Sequence, residues 1–375
     1  MSLMIVKKMD KKPVVWFERS NQYLMLDPFV ASAVERIYNQ ENNEDLALEL
    51  MNKHHVPREK AMDFISDLKE KLVFPNTAPK RVVQSDLKKH EIPDKFAFTT
   101  YYQIHSKVFK VECTTEFEYS LTHPKIAHLE VSNECDFDHT ATIFSNGKTT
   151  LLYLENELTG SWSREEIHYF EGKFLMKIIE YIYEKPEDNW MGVFHASALS
   201  YKKDTILFLG GSGSGKSTSL ALLQAHGFHC VADDFVPIDN DQLVHSFPAG
   251  ISIKENSLET LLPYYPTLRS AAEYHYERLN KTVRYIPPKN TDYNTRYQCK
   301  ALIFIKYDKH IDFEIKPISN MDAFEYLVPD SWISQNANNV AVFLEWFSLL
   351  PCYQLNYSNN EKMIAKVGRL FKNGL

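Results

Sequence analysis

The chain has 375 residues, 44% of them apolar and 24% charged, which leaves room for two or three domains and excludes a disordered, collagen-like or disulfide-scaffold protein. Asp plus Glu outnumber Lys plus Arg by 49 to 42, and the net charge of −7 argues against nucleic acid as the main partner. No apolar stretch approaches the roughly 18 residues that a membrane span needs. The first twelve residues hold too short an apolar run for a secretory signal; they are set outside the fold reading, and a cytoplasmic protein without a membrane partner is expected. Cys113, Cys135, Cys230, Cys299 and Cys352 are scattered, with no Cys-x-x-Cys or zinc-ligand spacing, so reduced thiols are expected.

Residues 13–78 read as a first unit. Strand-like runs at 14–17 and 23–26 flank the turn-prone Ser20-Asn21 and suggest a hairpin. Asp27-Pro28 has the form of an N-cap followed by proline at the first helical position, and Ala33, Val34, Ile37 and Tyr38 then recur at helical spacing. A second helix is expected over 44–54 on Leu46, Leu50 and Met51. A third follows Pro57, where Ala61, Phe64, Ile65, Leu68 and Leu72 share one face. A hairpin with three helices is a winged-helix-like outline.

Residues 79–93 are polar, basic and closed by Pro93, which suits a linker. From 96 to 153 the chain is rich in Thr, Val, Phe and Tyr with Asn, Asp and Gly breaks, so several antiparallel strands are expected. Residues 163–183 read as a helix carrying Ile167, Phe170, Phe174, Ile178 and Ile182.

Gly210, Gly211, Ser212, Gly213, Ser214, Gly215, Lys216 and Ser217 match G-x-x-x-x-G-K-[ST], the Walker A pattern. Glycines let consecutive backbone N–H groups turn toward the β- and γ-phosphates of a nucleotide. Lys216 adds a mobile cation, the Ser217 hydroxyl suits Mg²⁺, and Thr218 stands next in the helix. A strand over 205–209 leads in, and a helix over 216–225, closed by Gly227, leads out. The chain returns as a strand over 228–232 and ends in Asp233-Asp234. In a right-handed βαβ unit both strands end at one sheet edge, which brings two carboxylates beside the loop, where Mg²⁺ and a general base belong.

If Lys202-Lys203 turns a hairpin between strands at 193–200 and 205–210, Tyr201 faces Asp204 and the pairing continues to His195 opposite Gly210. That register puts an imidazole at the mouth of the loop. Lys254, Lys281 and Arg284 are candidates for phosphate or substrate contacts.

His195, the loop and Val231-Ala232-Asp233-Asp234 resemble the HPr kinase/phosphorylase catalytic domain in order and spacing, with 21 residues from His195 to Lys216 and 17 from Lys216 to Asp233. The resemblance implies an α+β and α/β chain with a P-loop domain of phosphoenolpyruvate-carboxykinase-like fold and a mixed sheet over 94–375. It implies transfer of the γ-phosphoryl group of ATP to a serine, with Mg²⁺ at Ser217 and Asp234, Asp233 as base, and His195 and Asp234 assisting. The family's glycine-rich phosphorylase signature does not follow the paired aspartates. Residues 247–254 look instead like the shorter segment of HPr-kinase-related proteins found with peptide-modification systems, which points away from HPr as substrate and from the reverse reaction.

Residues 13–78 are similar to PqqD, the RiPP recognition element, on the hairpin carrying Tyr23-Leu24-Met25-Leu26-Asp27, the helix through Ala33 and Val34, and Val56-Pro57 leading into a helix that ends at Leu72. That resemblance implies a peptide partner that adds a strand to the edge of a winged-helix sheet. The leading expectation is a serine kinase using ATP and Mg²⁺ on a peptide or small protein, such as a ribosomally synthesised precursor peptide. A small-molecule kinase acting on free serine or another hydroxylated metabolite, and a nucleotide-gated binding module without catalysis, are the alternatives. HPr kinase relatives are oligomeric, which makes a homo-oligomer a further expectation.

Overall fold

The computed structural model describes residues 3–10, 12–78, 90–132, 135–276, 280–289 and 291–373, an α+β protein with four sheets. The amino-terminal sheet is antiparallel, in the order β1 (Met4–Met9), β2 (Lys12–Phe17), β3 (Gln22–Met25). The β2–β3 hairpin turns at Ser20-Asn21; Asn21 takes the left-handed conformation (φ 52°), and its side-chain oxygen accepts from the Trp16 indole at 2.9 Å. β1 corrects the sequence reading, which left the first twelve residues outside the fold. It pairs along the whole of β2, from Met4 opposite Phe17 to Met9 opposite Lys12.

Helices α1 (Pro28–Tyr38), α2 (Asn43–His54) and α3 (Arg58–Leu68) follow, and Asp27 caps α1 by accepting from the Phe29 N–H at 2.9 Å. α3 continues through a π-helical turn, Lys69–Val73, into the short α4 (Phe74–Thr77). Side chains alternate across a strand, so Val15 and Phe17 pack with these helices while Val14 and Trp16 join the core of the rest of the protein. On that second face the Tyr23 ring meets Phe324 at 5.7 Å and Phe343 at 6.1 Å, and the Asn320 N–H donates to Asp10 at 2.9 Å. Burial on both faces accounts for the unbroken apolar run of β2. Of the linker expected over 79–93, residues 79–89 lie outside the described residues.

The second sheet contains β4 (Phe98–Ile104), β5 (Lys107–Cys113), β6 (Glu130–Val131), β7 (His139–Asn146), β8 (Thr149–Leu154) and β9 (Glu157–Ser163), in the order β6-β4-β5-β7-β8-β9. β5 and β7 run parallel, and parallel neighbours need a crossover. Part of that crossover is α5 (Glu116–Ile126), a helix that the all-strand reading of 96–153 missed. Its signal was present in Thr115-x-x-Glu118, a capping box in which Glu118 accepts from the Thr115 N–H at 2.6 Å. α6 (Ile167–Tyr183) begins later than position 163 because β9 extends to Ser163.

The largest sheet opens with β10 (Trp190–Phe194), β11 (Ser197–Tyr201), β12 (Asp204–Leu209), β13 (His229–Asp233), β14 (Val236–Asp239) and β15 (Leu243–Val244), with α7 (Lys216–Ala225) between β12 and β13. A separate small sheet follows, made of β16 (Ile251–Lys254), β17 (Tyr274–Tyr276) and β18 (Lys281–Ile286), with α8 (Leu258–Leu261) between its first two strands. β19 (Tyr297–Tyr307), β20 (Phe313–Pro317), β21 (Ser331–Ile333) and β22 (Cys352–Tyr357) complete the large sheet, accompanied by α9 (Asn320–Leu327), α10 (Ala337–Leu349) and α11 (Asn360–Asn373).

β11 lies between β12 and β13 and is antiparallel to both, so those two strands run the same way without being neighbours. β19 is parallel to β12, and β22 to β19. One sheet edge therefore collects Leu209, Asp233, Tyr307 and Tyr357, the kind of carboxyl edge outside which ligands bind. The strand expected over 193–200 is broken: β10 leaves to pair with β14 and β21, while β11 pairs with β12. Tyr201 does face Asp204, but pairing stops at Ser197 opposite Phe208, so His195 lies beyond the hairpin ladder. All five cysteines are free thiols, four of them buried. No helix among the described residues is long and apolar enough to cross a membrane.

Candidate functional site

Three of the four glycines in the 210–217 loop have positive φ: Gly210 at 139°, Gly213 at 86° and Gly215 at 103°. At Gly210 a Cβ would also stand 2.8 Å from the Ile305 carbonyl oxygen, so only glycine fits there. The loop curls from β12 onto the start of α7, whose first N–H groups have no partner within the helix and suit an anion. It is pinned to the end of β19, where the Tyr307 N–H donates to the Ser214 carbonyl at 2.8 Å.

Lys216 is buried, and its ammonium donates to the Gly210 carbonyl at 2.5 Å. Lys254 and Lys281 both donate to the Ser212 hydroxyl, at 3.0 and 2.9 Å. These hydrogen-bond partners are uncharged oxygens. Burial pulls the Lys254 ammonium down, and the like charge of Lys281 pulls it further; burial also pulls Lys216 down, against the attraction of Asp234 and Asp233. Such a cluster leaves a positive potential over the loop.

The period of the strand decides which of the expected cations reach this place. On β18, Lys281, Val283 and Tyr285 line the cavity, so Arg284 points to the opposite face, where it pairs with Glu255 at 2.9 Å and with Glu273. Lys254 and Lys281 stand at the loop; Arg284 does not, and its expected phosphate contact is corrected.

The two aspartates part company. Asp233 is 1% exposed and does not line the cavity. Its Oδ1 accepts from the Ser197 hydroxyl at 2.5 Å and the Ser217 hydroxyl at 3.1 Å, and its Oδ2 from the Ser252 N–H at 3.0 Å. Burial pushes its carboxyl up to about 6, with the charge of Asp234 adding to the rise and these hydrogen bonds opposing it. Asp234 adopts a left-handed φ of 62°, lines the cavity and lies 3.8 Å from His195 Nδ1. Burial would raise it, but Lys125, His195, Lys216 and Lys254 together hold it below the usual carboxylate range. Burial pulls the His195 imidazole down, against the attraction of Asp234, so it is neutral near pH 7. Asp233, expected as the base, is thus turned onto the Ser197 and Ser217 hydroxyls and away from the cavity, whereas Asp234 lines it. Asp233, rather than Asp234, touches Ser217.

The cavity over the loop has a volume of about 270 Å³. Lys125, Glu171, Tyr276 and Tyr285, which the sequence reading did not single out, also line it. The capping box would have located the helix of Lys125, but nothing local says which face of that helix meets the loop. No family model matches the chain, and neither does any curated protein. Among the described residues no group of three or more His, Cys, Asp or Glu side chains is arranged to hold a metal ion. The Ser217 hydroxyl, which lines the cavity, with the Asp233 carboxylate behind it, offers hard oxygen donors of the kind that suit a Mg²⁺ arriving with phosphates and water.

Proposed function

We propose that the protein is an ATP-dependent serine kinase of the HPr kinase/phosphorylase type, with a P-loop at 210–217 and a PqqD-like winged-helix segment at 13–78. Its acceptor in this reading is a serine hydroxyl of a peptide or small protein, such as a ribosomally synthesised precursor peptide. One observation carries the reading: three ammonium groups, Lys216, Lys254 and Lys281, gather at a glycine loop, and the Asp234 carboxylate opens into the same cavity. A triphosphate calls for the first feature and an alcohol acceptor for the second.

In this scheme the loop N–H groups and Lys216 hold the β- and γ-phosphates, and Lys254 and Lys281 balance their charge. Asp234, ionised at neutral pH, takes the proton of the acceptor hydroxyl in place of Asp233. Asp233 is a positioning residue that fixes the Ser217 hydroxyl. His195 lies beside Asp234 and orients its carboxylate. Mg²⁺, when bound, supplies charge neutralisation on the phosphates, with Ser217 and Asp233 to hold it. The outer edge of β3 pairs with no strand among the described residues, which supports docking of an extended peptide there. A docked substrate would be delivered to the cavity at raised effective concentration.

Incubation with ATP, Mg²⁺ and serine-containing peptides, read by mass spectrometry, tests the reading. Phosphorylated peptide is expected from the wild type and, over the same incubation, far less from Asp234→Asn. Transfer to free serine but to no peptide moves the assignment to a small-molecule kinase. Peptide binding without transfer to any acceptor leaves a nucleotide-gated binding module.

A further inference from the structure

The cavity over the glycine loop is also lined by a cation that no nucleotide motif accounts for. Lys125 sits in the last turn of α5, where a positive side chain also suits the helix dipole. Its backbone is fastened to the approach to β16 by the Gly250 N–H, which donates to the Lys125 carbonyl at 2.7 Å. Its ammonium lies 3.3 Å from Glu171 of α6. Tyr276 and Tyr285 line the cavity with it, their hydroxyls 2.6 Å apart, and Gly250 lets the backbone approach Tyr285, since a Cβ there would stand 2.9 Å from the Tyr285 Cβ. Lys254 and Lys281 meet at Ser212 on the loop, whereas Lys125 acts on the charges of Asp234 and His195.

We propose that Lys125, fixed by Glu171, is the acceptor-side cation of the transfer site and contacts the phosphoryl group as it passes from nucleotide to acceptor. The inference rests on the kinase reading above and adds that the β4–β9 sheet with α5 and α6 completes the site. In the step considered, the bond between the γ-phosphorus and the β,γ-bridging oxygen breaks and its electron pair leaves with the diphosphate. The acceptor oxygen bonds to the phosphorus, and its proton passes to Asp234. Charge spreads over the three equatorial oxygens in flight, and loop-side cations reach only part of that surface. A fixed ammonium elsewhere in the cavity stabilises the remainder without reorganisation. Burial would lower the Lys125 ammonium, but Glu171, Asp234 and Tyr276 more than offset it, so the group stays charged.

The test uses the full-length protein and measures affinity for Mg·ADP with and without fluoroaluminate, which occupies the place of the phosphoryl group in flight. Wild type should bind Mg·ADP and tighten when fluoroaluminate is added. Lys125→Met should bind Mg·ADP as wild type does but lose roughly 10²-fold of the tightening, and Lys125→Arg should restore most of it. Glu171→Gln keeps the ammonium but releases it, and should lose an intermediate share; it also serves if Lys125→Met does not fold. Full tightening in Lys125→Met, or in Glu171→Gln where Lys125→Met is unfolded, overturns the inference and leaves the nucleotide site standing. Absence of Mg·ADP binding by wild type overturns the kinase reading, and the inference with it.

Discussion

The Ser217 hydroxyl donates to Asp233 Oδ1 at 3.1 Å, joining the first turn of α7 to the last residue of β13. The contact sorts two adjacent carboxylates into different tasks. Asp233 is enclosed by donors, while the left-handed backbone at Asp234 turns its side chain to the cavity. Asp234→Asn should cut phosphoryl transfer by roughly 10²- to 10⁴-fold with nucleotide affinity intact, whereas Asp233→Asn should weaken Mg-nucleotide binding; titration calorimetry beside single-turnover transfer separates the two.

Asp233 also predicts a pH signature of the ligand-free protein. Its folded carboxyl is raised from 3.8 to about 6, so the native state binds more protons than the unfolded chain between those values. The resulting cost is absent below pH 3.8 and complete above about 6. Asp233→Asn removes that cost, so its Tm minus that of wild type should rise with pH across the window and level off above it. A difference that stays flat in differential scanning calorimetry from pH 4 to 7 would contradict the burial assigned to Asp233.

Asp239 gives the opposite sign. It is buried, with His245 Nε2 at 2.7 Å and the Lys185 ammonium at 2.5 Å. Burial alone would raise its carboxyl, but the hydrogen bonds from His245 and Lys185 hold it at about 2. The folded pKa lies below the unfolded one, so this stability is present above pH 3.8 and is lost as pH falls toward 2. Lys185→Met removes a cationic partner while His245 and the Asp241 and Leu243 N–H groups remain, and should cost about 1.5–3 kcal/mol at neutral pH, as read from urea denaturation.

Gly210→Ala and Gly211→Ala should differ sharply. The first places a Cβ 2.8 Å from the Ile305 carbonyl oxygen at a φ of 139°, while the second meets nothing within 4 Å among the described residues. A loss of about 1–3 kcal/mol is expected for Gly210→Ala and almost none for Gly211→Ala, by thermal melts.

Lys281→Met and Arg284→Met test the alternation along β18. Lys281→Met should weaken ATP binding by about tenfold and reduce its salt dependence. Arg284→Met should leave ATP affinity unchanged, because its partners Glu255 and Glu273 stand on the other face. Equal losses in the two variants would show that the faces are misassigned.

Tyr23 probes the seam between the amino-terminal sheet and α9 and α10. Its ring contacts Phe324 and Phe343, yet its hydroxyl is buried without a hydrogen-bond partner among the described residues. Tyr23→Ala should cost about 3–5 kcal/mol, and Tyr23→Phe should be neutral or stabilising by about 1 kcal/mol. Chemical denaturation of the two variants checks the pair.

What the residues determined alone is what depends on near neighbours in the chain. The glycine loop between a strand and a helix, the Asp27-Pro28 cap, the Lys202-Lys203 turn and the arrival of Asp233-Asp234 at the loop's sheet edge all follow from φ preferences, capping and strand direction, which act over a few residues. Tertiary structure decided what depends on direction and on distant partners. The alternation along β18 turns Lys281 to the cavity and Arg284 away from it, the break after β10 carries His195 off the hairpin, and the packing of α5 and α6 brings Lys125 and Glu171 to the cavity. A one-residue step reverses a strand's faces, and the side of a helix that meets a site more than 80 residues away is set by the packing of every element between them.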